Sequence, residues 1–422
     1  MRYIYTTLFY LLTPLILLRL YWRGFKASEY RKRWKERLAV YNKKYPGNVI
    51  WIHAVSVGES VAVFPLIKLL QQRYPTDNFL VTTTTPTGSA RVKDGLASSV
   101  SHVYLPYDLP IVIKRFLTIF RPKIAIIMEK EIWPNLYHQC NQNNIPLTII
   151  NARLSAKSAK AYKKIPGLVI PALENISFIA TQTEEDKKRF IEIGAKADYI
   201  EVTGNLKFDV KINEELIQQA KSIKAQLFKD RFIWIIASTH QGEEIIFYEL
   251  YLLLKKRIPE LLLLVVPRHP ERFKDVKQLA EKMRLKTCMR SSKKLIKTDT
   301  DVYIADTMGE LTLLYGAADI SFVGGSLVPV GGHNILEPAA MNIPIIFGPH
   351  MFNSKEIAKG VVSLGAAIEC MNKEGVMENV IHLYENQEER RKMVFTMSQF
   401  LKNNQGATET TEKLISRLLS NN

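Results

Sequence analysis

The sequence is poor in cysteine. Its 422 residues include only Cys140, Cys288 and Cys370, which lie far apart and form no C-x-x-C pair. This pattern argues against a disulfide framework and a cysteine zinc site, and it favours a reducing compartment. No H-E-x-x-H motif and no run of His and Asp indicates another metal. We therefore expect a protein that uses neither a metal ion nor an organic cofactor.

Acidic residues are also under-represented. The chain has 41 Asp and Glu against 58 Lys and Arg, which gives a formal net charge of +17. Such an excess indicates an anionic partner: nucleic acid, an acidic membrane surface or a phosphorylated substrate. The charge is spread along the chain and no recognised nucleic-acid motif is present, so we expect no nucleic-acid partner. A non-enzymatic basic protein remains the distant alternative.

One long apolar run lies near the N-terminus. Residues 3–18 are mostly apolar, with Pro14 among them, and a basic segment follows Arg19. Positive charge after the run, without an A-x-A site, argues against a cleaved signal peptide and places the body of the protein in the cytoplasm. We expect residues 1–22 to be a membrane anchor, either a single span or an interfacial helix. The basic segment, 23–47, would bind anionic lipid head groups.

From residue 48 onward, apolar runs alternate with helical patterns. Near-continuous apolar strands separated by helices predict parallel sheets covered on both faces. The predicted strands are 49–55, 79–85, 103–106, 123–128, 146–151, 176–181 and 199–203, then 232–237, 261–266, 302–305, 320–323 and 343–347. We predict an α/β protein with two doubly wound domains that face each other, 48–210 and 211–422. Ligands bind beyond the carboxyl ends of such strands.

The Gly-rich stretch 324–340 lies between a predicted strand and a predicted helix. A turn of this kind leaves backbone N–H groups unpaired and aimed outward beside the positive helix end, which favours a phosphate. Glu337 is placed to accept hydrogen bonds from ribose hydroxyls. The alternative is a tight turn whose glycines only permit positive φ. The candidate residues here are Gly325, Gly332, His333, Asn334 and Glu337, of which His333 could equally be structural.

Other polar residues of the second domain also follow predicted strands. Ser238 and Thr239 either face a phosphate or cap the next helix. Arg268 can clamp a phosphate or a carboxylate with two hydrogen bonds, and the adjacent His269 either joins it or is structural. Lys207 lies at the predicted crossing between the domains and offers a further cation.

Carboxylates follow two strands of the first domain. Glu59 lies in the first turn of a predicted helix, where a carboxylate is stabilised as the anion. It is therefore either a functional carboxylate or an ordinary helix-end charge. Glu129 and Glu131 lie at another junction between a strand and a helix, where two carboxylates could orient a polar acceptor.

Together these stretches resemble the 3-deoxy-D-manno-octulosonic acid (Kdo) transferase family of Gram-negative lipopolysaccharide biosynthesis. The resemblance also includes the basic region near the N-terminus, follows the order of the family and covers nearly the whole chain. It is carried by HAVSVGE (53–59), ME-x-E-x-WPN (128–135), NARLS (151–155), TGNLKFD (203–209), ASTHQGEE (237–244), VPRHPERF (266–273) and GGSLVPVGGHNILEPAA (324–340).

The resemblance implies a GT-B-like glycosyltransferase with two Rossmann-like domains that face a cleft. It implies CMP-Kdo as the donor, a lipid A precursor as the acceptor, and the cytoplasmic side of the inner membrane as the location. Glu59 would be the general base of an inverting, metal-independent transfer, with Glu129 and Glu131 supporting the acceptor. The donor would be bound by Lys207, Ser238, Thr239, Arg268, His269, Gly325, Gly332, His333, Asn334 and Glu337.

The nearer alternative is another GT-B enzyme that acts on a UDP-sugar, such as a transferase or an epimerase. The spacing of the residues does not reveal the donor, and only the resemblance favours CMP.

Overall fold

Seven parallel strands form the first sheet of this computed structural model, which describes residues 1–42, 44–210 and 212–420. The strands are β1 (Val49–His53), β2 (Asn78–Thr83), β3 (Ser101–Tyr104), β4 (Ile124–Met128), β5 (Leu147–Ala152), β6 (Phe178–Thr181) and β7 (Ile200–Val202). Their order in the sheet is β3-β2-β1-β4-β5-β6-β7. The chain therefore winds outward from β1 to β3 and returns to pair β4 with β1, which creates a topological switch point.

The second sheet repeats this plan. Its strands are β8 (Phe232–Thr239), β9 (Leu261–Pro267), β10 (Thr287–Met289), β11 (Val302–Ile304), β12 (Ile320–Val323), β13 (Ile345–Phe347) and β14 (Ile368–Glu369). They are parallel and lie in the order β10-β11-β9-β8-β12-β13-β14. The switch point lies between β8 and β12.

Helices lie between most of the strands and also before the first strand and after the last one. The first set is α1 (Arg2–Lys26), α2 (Val57–Arg73), α3 (Pro86–Leu96), α4 (Pro110–Phe120), α5 (Pro134–Gln142), α6 (Ala156–Tyr162), α7 (Pro166–Leu173) and α8 (Glu184–Glu192). The second set is α9 (Glu214–Ile223), α10 (Glu243–Leu254), α11 (Phe273–Lys282), α12 (Leu311–Tyr315), α13 (Leu336–Ala340), α14 (Lys355–Ser363), α15 (Lys373–Glu385), α16 (Gln387–Asn404) and α17 (Ala407–Ser420).

The central strands are apolar throughout because both faces of each sheet are covered. Every residue of β1, β4, β8 and β9 is buried. Trp51 and Trp234 occupy corresponding central strands, and each is completely buried. Such continuous burial is typical of parallel sheets with helices on both faces. The structure thus confirms the predicted α/β class and its two doubly wound sheets.

The C-terminal helix belongs to the first unit. The chain divides into one unit of Met1–Asp209 with α17 and another of Val210–Asn403. The apolar face of α17, including Leu414 and Ile415, joins the core that contains β1 and α2. Asp209 accepts hydrogen bonds from the N–H groups of Gly406 (2.7 Å) and Thr408 (2.5 Å). The predicted second domain, 211–422, was therefore too long, because this apolar face needs the first core for its burial.

Part of the basic segment, 23–47, has a structural role. The Arg33 guanidinium forms two hydrogen bonds with the Glu36 carboxylate, at 2.7 and 2.8 Å. Arg37 is buried and donates to the carbonyl of Thr84 at 2.7 Å. These two arginines are thus held by the protein, and the expectation that the whole segment binds lipid head groups was too broad. Lys32 and Lys35 are among its exposed cations.

Candidate functional site

Glu59 lies at the switch point of the first sheet, just beyond the end of β1. Ser56 caps α2, and its hydroxyl accepts the N–H of Glu59 at 3.3 Å. The Glu59 carboxylate in turn accepts the Val55 N–H at 2.7 Å and the Ser56 hydroxyl at 2.9 Å. This reciprocal arrangement resembles a capping box. It fixes the carboxylate in one position.

Burial keeps Glu59 available for proton transfer near neutral pH. The residue is 9% exposed. Burial first, and then the negative charge of Glu129, raise the pKa of Glu59 to about 7, against the opposing effect of its two hydrogen bonds. A carboxylate whose pKa lies near the working pH is well matched to general base catalysis.

Glu129 and Glu131 follow β4, the strand next to β1. Glu129 has a φ of +61°, which is uncommon for a residue with a side chain, and its N–H donates to Ile150 O at 3.0 Å. Burial raises the pKa of Glu131, while Lys130 opposes the shift and Glu129 adds to it. Both carboxylates also contribute to the raised pKa of Glu59. The structure thus brings the three predicted carboxylates into one electrostatic cluster, with Lys130 exposed beside it.

Asp108 holds the helix that follows these carboxylates. It is almost fully buried and accepts the N–H groups of Asn135 (3.0 Å) and Leu136 (2.7 Å) in the first turn of α5. Burial raises its pKa to about 6. Asp108 could not be predicted from the sequence, because its partners lie 27 and 28 residues further along the chain. No local motif links them.

Ser238 and Thr239 form the end of β8, at the switch point of the second sheet. Ser238 has a φ of +58°, and the pairing of β8 with β9 shifts register there. The Thr239 hydroxyl donates to the Glu244 carboxylate at 2.6 Å. The cap of α10 is Gly242, so neither predicted residue caps that helix. The alternative of an ordinary Ser/Thr cap is therefore wrong.

The Gly-rich loop does not present free glycine amides. The N–H groups of its four glycines all donate within the protein. Gly324 donates to Ala237 O and Gly325 donates to the Glu243 carboxylate. Gly331 and Gly332 both donate to Gly325 O. The expectation of outward, unpaired N–H groups in this loop is thus wrong for all four glycines. The loop connects β12 to α13 as predicted, but α13 has only five residues.

The Glu243 carboxylate binds backbone amides of the Gly-rich loop. Its side chain is completely buried and accepts hydrogen bonds from the N–H groups of Gly325 (2.7 Å), His240 (3.0 Å) and Leu327 (3.2 Å). Burial raises its pKa, and these three bonds oppose the shift. The carboxylate therefore occupies the position that a ligand anion was expected to fill.

Histidines and an arginine gather beside this loop. The Nε2 atoms of His240 and His333 lie 2.8 Å apart, and the ring of His269 packs edge-on against His240 at 5.5 Å between centroids. Burial, followed by His240, Arg268 and His269, lowers the pKa of His333 to about 4. Burial and the same kind of neighbours also lower the pKa of His240. An anion placed here would favour the protonated imidazoles and raise these pKa values again.

Arg272 and Glu244 form a second feature that no local sequence pattern indicates. Arg272 forms two hydrogen bonds with the nearly fully buried Glu244 carboxylate, at 2.7 and 2.8 Å. Arg272 also donates to Thr239 O at 3.2 Å. The pair fixes the end of β8 relative to α10 and α11, and the half-buried Arg268 lies close by in sequence.

Asn334, Glu337 and Lys207 complete the predicted set. The Asn334 side chain accepts the Leu336 N–H at 3.1 Å and donates to Glu337 at 3.2 Å. Asn334 is exposed and Glu337 half-buried, so both remain accessible at the start of α13. Lys207 belongs to the first unit, in the 3-10 turn Leu206–Phe208, where its N–H donates to Asn205. Its predicted contact with the donor stays a prediction.

Substituting Gly325 tests how closely the loop fits the histidines. We expect Gly325→Ala to lower the free energy of unfolding by about 2–3 kcal/mol, as measured by denaturant titration. Its φ is +68°, and an added Cβ would lie 3.2 Å from His240 Cδ2 and 3.3 Å from His333 Cδ2. Gly309→Ala is the matched control, with a φ of +85° and no atom within 4 Å. It should cost only about 1 kcal/mol. Equal losses would contradict the close fit.

Across the described parts of the chain, no three His, Cys, Asp or Glu side chains come together in a way that could hold a metal ion.

Comparison with known proteins identifies the family. The model for "3-Deoxy-D-manno-octulosonic-acid transferase (kdotransferase)" matches residues 32–210. The chain is 42% identical to a 3-deoxy-D-manno-octulosonic acid transferase of Haemophilus influenzae over 424 residues, 100% of this chain and 99% of that protein. The corresponding protein of Rickettsia bellii is 33% identical over 426 residues, 99% of this chain and 98% of its own.

The fold is shared more widely. A crystal structure of UDP-GlcNAc 2-epimerase from Neisseria meningitidis matches with a TM-score of 0.56 and 15% identity, over 89% of this chain and 100% of that chain. At this identity the likeness concerns the fold alone, and it confirms the predicted GT-B-like architecture of two Rossmann-like domains. The whole-chain relatives go further: the chain belongs to the Kdo transferase family and is a glycosyltransferase.

Proposed function

We propose that this Kdo transferase moves Kdo from CMP-Kdo to a lipid A precursor, with inversion, at the cytoplasmic face of the inner membrane. Glu59 acts as the general base. The observation that carries the proposal is the buried Glu59 carboxylate at the switch point, whose pKa is raised to about 7. It is fixed by two hydrogen bonds and accompanied by Glu129 and Glu131.

In the proposed reaction, a hydroxyl oxygen of the acceptor forms a bond to the anomeric carbon of Kdo. The bond from that carbon to the phosphate oxygen breaks, and CMP leaves with the electron pair. Glu59 takes the hydroxyl proton, so charge and atoms balance. Glu129 and Glu131 orient the acceptor. Direct displacement from the face opposite the leaving group inverts the anomeric centre.

The second unit holds the donor in this proposal. Arg268 faces the phosphate or the Kdo carboxylate, and His240, His269 and His333 surround the same region. The structure supports this because Arg268 and the three imidazoles lie in one region, and an anion among them would be stabilised by the arginine charge and by imidazole N–H donors. Asn334 and Glu337 are accessible for the ribose hydroxyls. No metal ion is assigned to the departing phosphate, whose charge is met by these side chains.

The glycine residues have a different role from the one first expected. Because the amides of Gly325 and Gly332 are bonded within the protein, the loop supports the donor site by its shape. Ser238 and Thr239 likewise shape the end of β8, and Thr239 uses its hydroxyl on Glu244.

The membrane part of the proposal is supported by α1. Within the described residues, Arg2–Phe25 is the one helix long and apolar enough to cross a bilayer. Its apolar 18-residue stretch has a mean hydropathy of 1.5, and only 6% of that stretch is buried. Exposed cations follow it. A membrane-bound enzyme would meet a lipid acceptor directly at the bilayer surface.

The test is transfer with purified protein. CMP-Kdo, generated in situ, and a tetra-acylated lipid A precursor are the substrates, and the product mass is measured. Addition of one or more Kdo masses supports the proposal and counts the sugars. Calorimetric titration with CMP and with UDP provides the second measurement. A folded protein that adds no Kdo and binds UDP in preference to CMP would instead support a UDP-sugar enzyme.

A further inference from the structure

One face of α1 carries an unbroken apolar stripe. Its seven members follow a spacing of four and three residues, and each is 50–70% exposed: Ile4, Leu8, Leu11, Leu15, Leu18, Trp22 and Phe25. This spacing places them along a single side of a helix. The stripe extends over most of the helix, whose 25 residues measure about 37 Å.

The opposite face of α1 rests on the first unit. The Thr6 hydroxyl donates to the Asn135 side chain at 3.0 Å. Tyr5 forms a hydrogen bond with the buried Asp108, and the ring of Phe9 lies 6.4 Å from that of Tyr107. The first turns of α1 are therefore attached to the polar groups at the start of α5.

The chain is attached to the same unit soon after α1 ends. The chain turns back through the 3-10 turn Ser28–Arg31, where the guanidinium of Arg31 lies over the Phe25 ring at 3.9 Å. Arg33 then donates to Ser89 (3.0 Å) and to His102 O (2.9 Å). A helix that spans a bilayer separates its ends by about 30 Å of hydrocarbon. The first turns of α1 instead contact the first unit, and the chain is tied to the same unit at Arg33, seven residues after the helix ends.

We propose that α1 is an interfacial helix that lies along the first unit, with its apolar stripe in the bilayer, and that its inner face positions the loop of Glu129 and Glu131. The positioning role of the inner face rests on the proposed function. Asn135 and Asp108 fix the first turn of α5, directly after that loop. The Tyr137 hydroxyl, two residues after Asn135, donates to Glu131 O. Thr6 is thus a positioning residue, which acts through Asn135.

The bilayer fits the stripe better than a second copy of the chain does. A 4-3 spacing also occurs in coiled coils, but there the flanking positions are usually charged. Here the flanks include the exposed apolar residues Tyr3, Leu12 and Tyr21. A broad apolar surface beside exposed Arg31 and Lys35 matches hydrocarbon next to anionic head groups.

The topology of α1 is tested with Arg2→Cys in the full chain, in inner membranes of a Gram-negative host. Right-side-out spheroplasts are treated with a membrane-impermeant maleimide, and the unsubstituted chain provides the background from its own cysteines. We expect labelling only after lysis, with the protein in the membrane fraction. Labelling of intact spheroplasts would show a span and overturn the proposal. Disulfide-linked dimers of Leu11→Cys would show that a second copy covers the stripe, and would equally overturn it.

The positioning role is tested with Thr6→Val against Thr7→Val. Thr7 is the matched control, because its exposed hydroxyl bonds only to Tyr3 O of α1. With acceptor in detergent micelles, we expect Thr6→Val to lower kcat/KM for the acceptor about 5-fold while KM for CMP-Kdo stays unchanged. Thr6→Ser, which keeps the hydroxyl, should restore it.

Equal kinetics for Thr6→Val and Thr7→Val would overturn the positioning role. A change in both substrates' KM values, or no recovery with Thr6→Ser, would show general damage to the fold and overturn it too. Failure of the unsubstituted protein to transfer Kdo would instead refute the proposed function. The labelling experiment does not depend on activity and separates the two cases.

Discussion

Glu59→Gln is expected to lower kcat for Kdo transfer by about 10³-fold. General base catalysis contributes roughly 10²–10⁴ in rate, and glutamine cannot take the acceptor proton. The substitution keeps the shape of the side chain and an oxygen that can accept the Val55 N–H, so binding of CMP should change little. The measurement is the initial rate of product formation at pH 8, with CMP affinity determined separately.

The capping bond of Glu59 requires its own control. Ser56→Ala removes the hydroxyl that exchanges hydrogen bonds with Glu59, and loss of such a cap typically costs about 1 kcal/mol of stability. It leaves the carboxylate in place, so the rate should fall less than about 10-fold. If Ser56→Ala and Glu59→Gln reduced the rate equally, the importance of Glu59 would lie in helix capping and the base would be another residue.

The pH profile follows from the raised pKa of Glu59. The base works as the anion, so kcat/KM should rise through about pH 7 and level off above it, with about one tenth of the plateau at pH 6. Glu129→Gln removes the like charge that helps to raise this pKa, so its profile should shift to lower pH. A profile that stays flat from pH 5.5 to 8.5 would contradict the role of Glu59 as the base.

The same shift has a consequence for stability. The pKa of folded Glu59 lies above the ordinary value of 4.5, so the folded state favours the protonated carboxyl. This contribution is fully present below about pH 4.5 and is lost as the pH rises through 7. The active, ionised form of the site is therefore the less stable one, which the fold tolerates through the Val55 and Ser56 hydrogen bonds.

The sequence predicts the strands that are buried in the core, but not the short strands at the edges of the second sheet. All twelve strands predicted from such runs occur, because continuous burial leaves a continuous apolar signal. β10 and β14 were missed. They are two or three residues long, lie at the two edges of the second sheet, and contain no fully buried residue. An edge strand of this kind has no distinctive pattern in the sequence.

The residues of the candidate site were easier to predict than their partners. The sequence placed Glu59 and Glu129 after strands, and the sheet order then made those strands neighbours. It could not show that Glu243 would bond the amide of Gly325, because 82 residues separate them. Only the pairing of β8 with β12 brings the two together. A Gly-rich turn therefore indicates an unusual backbone conformation. Whether its N–H groups are free to bind a ligand can be determined only from the folded structure.

The contact between Glu243 and Gly325 predicts a large effect on both stability and CMP binding. Glu243→Ala is expected to lower the free energy of unfolding by about 3–5 kcal/mol and the affinity for CMP by at least about 100-fold. The carboxylate is completely buried, and its loss would leave the N–H groups of His240, Gly325 and Leu327 without a partner. Each buried donor left unsatisfied costs roughly 1–3 kcal/mol. Denaturant unfolding and calorimetric CMP titration measure the two effects.

Glu249→Ala is the matched control on the same helix. Glu249 is half exposed and pairs at 3.3 Å with the equally exposed Lys373, so the change should stay within about 0.5 kcal/mol and leave CMP binding intact. The two measurements together locate the role of Glu243. Lost stability with lost affinity means that the carboxylate holds the loop. A 100-fold loss of CMP affinity with stability equal to that of Glu249→Ala would mean instead that Glu243 contacts the nucleotide, and that the loop opens to bind it.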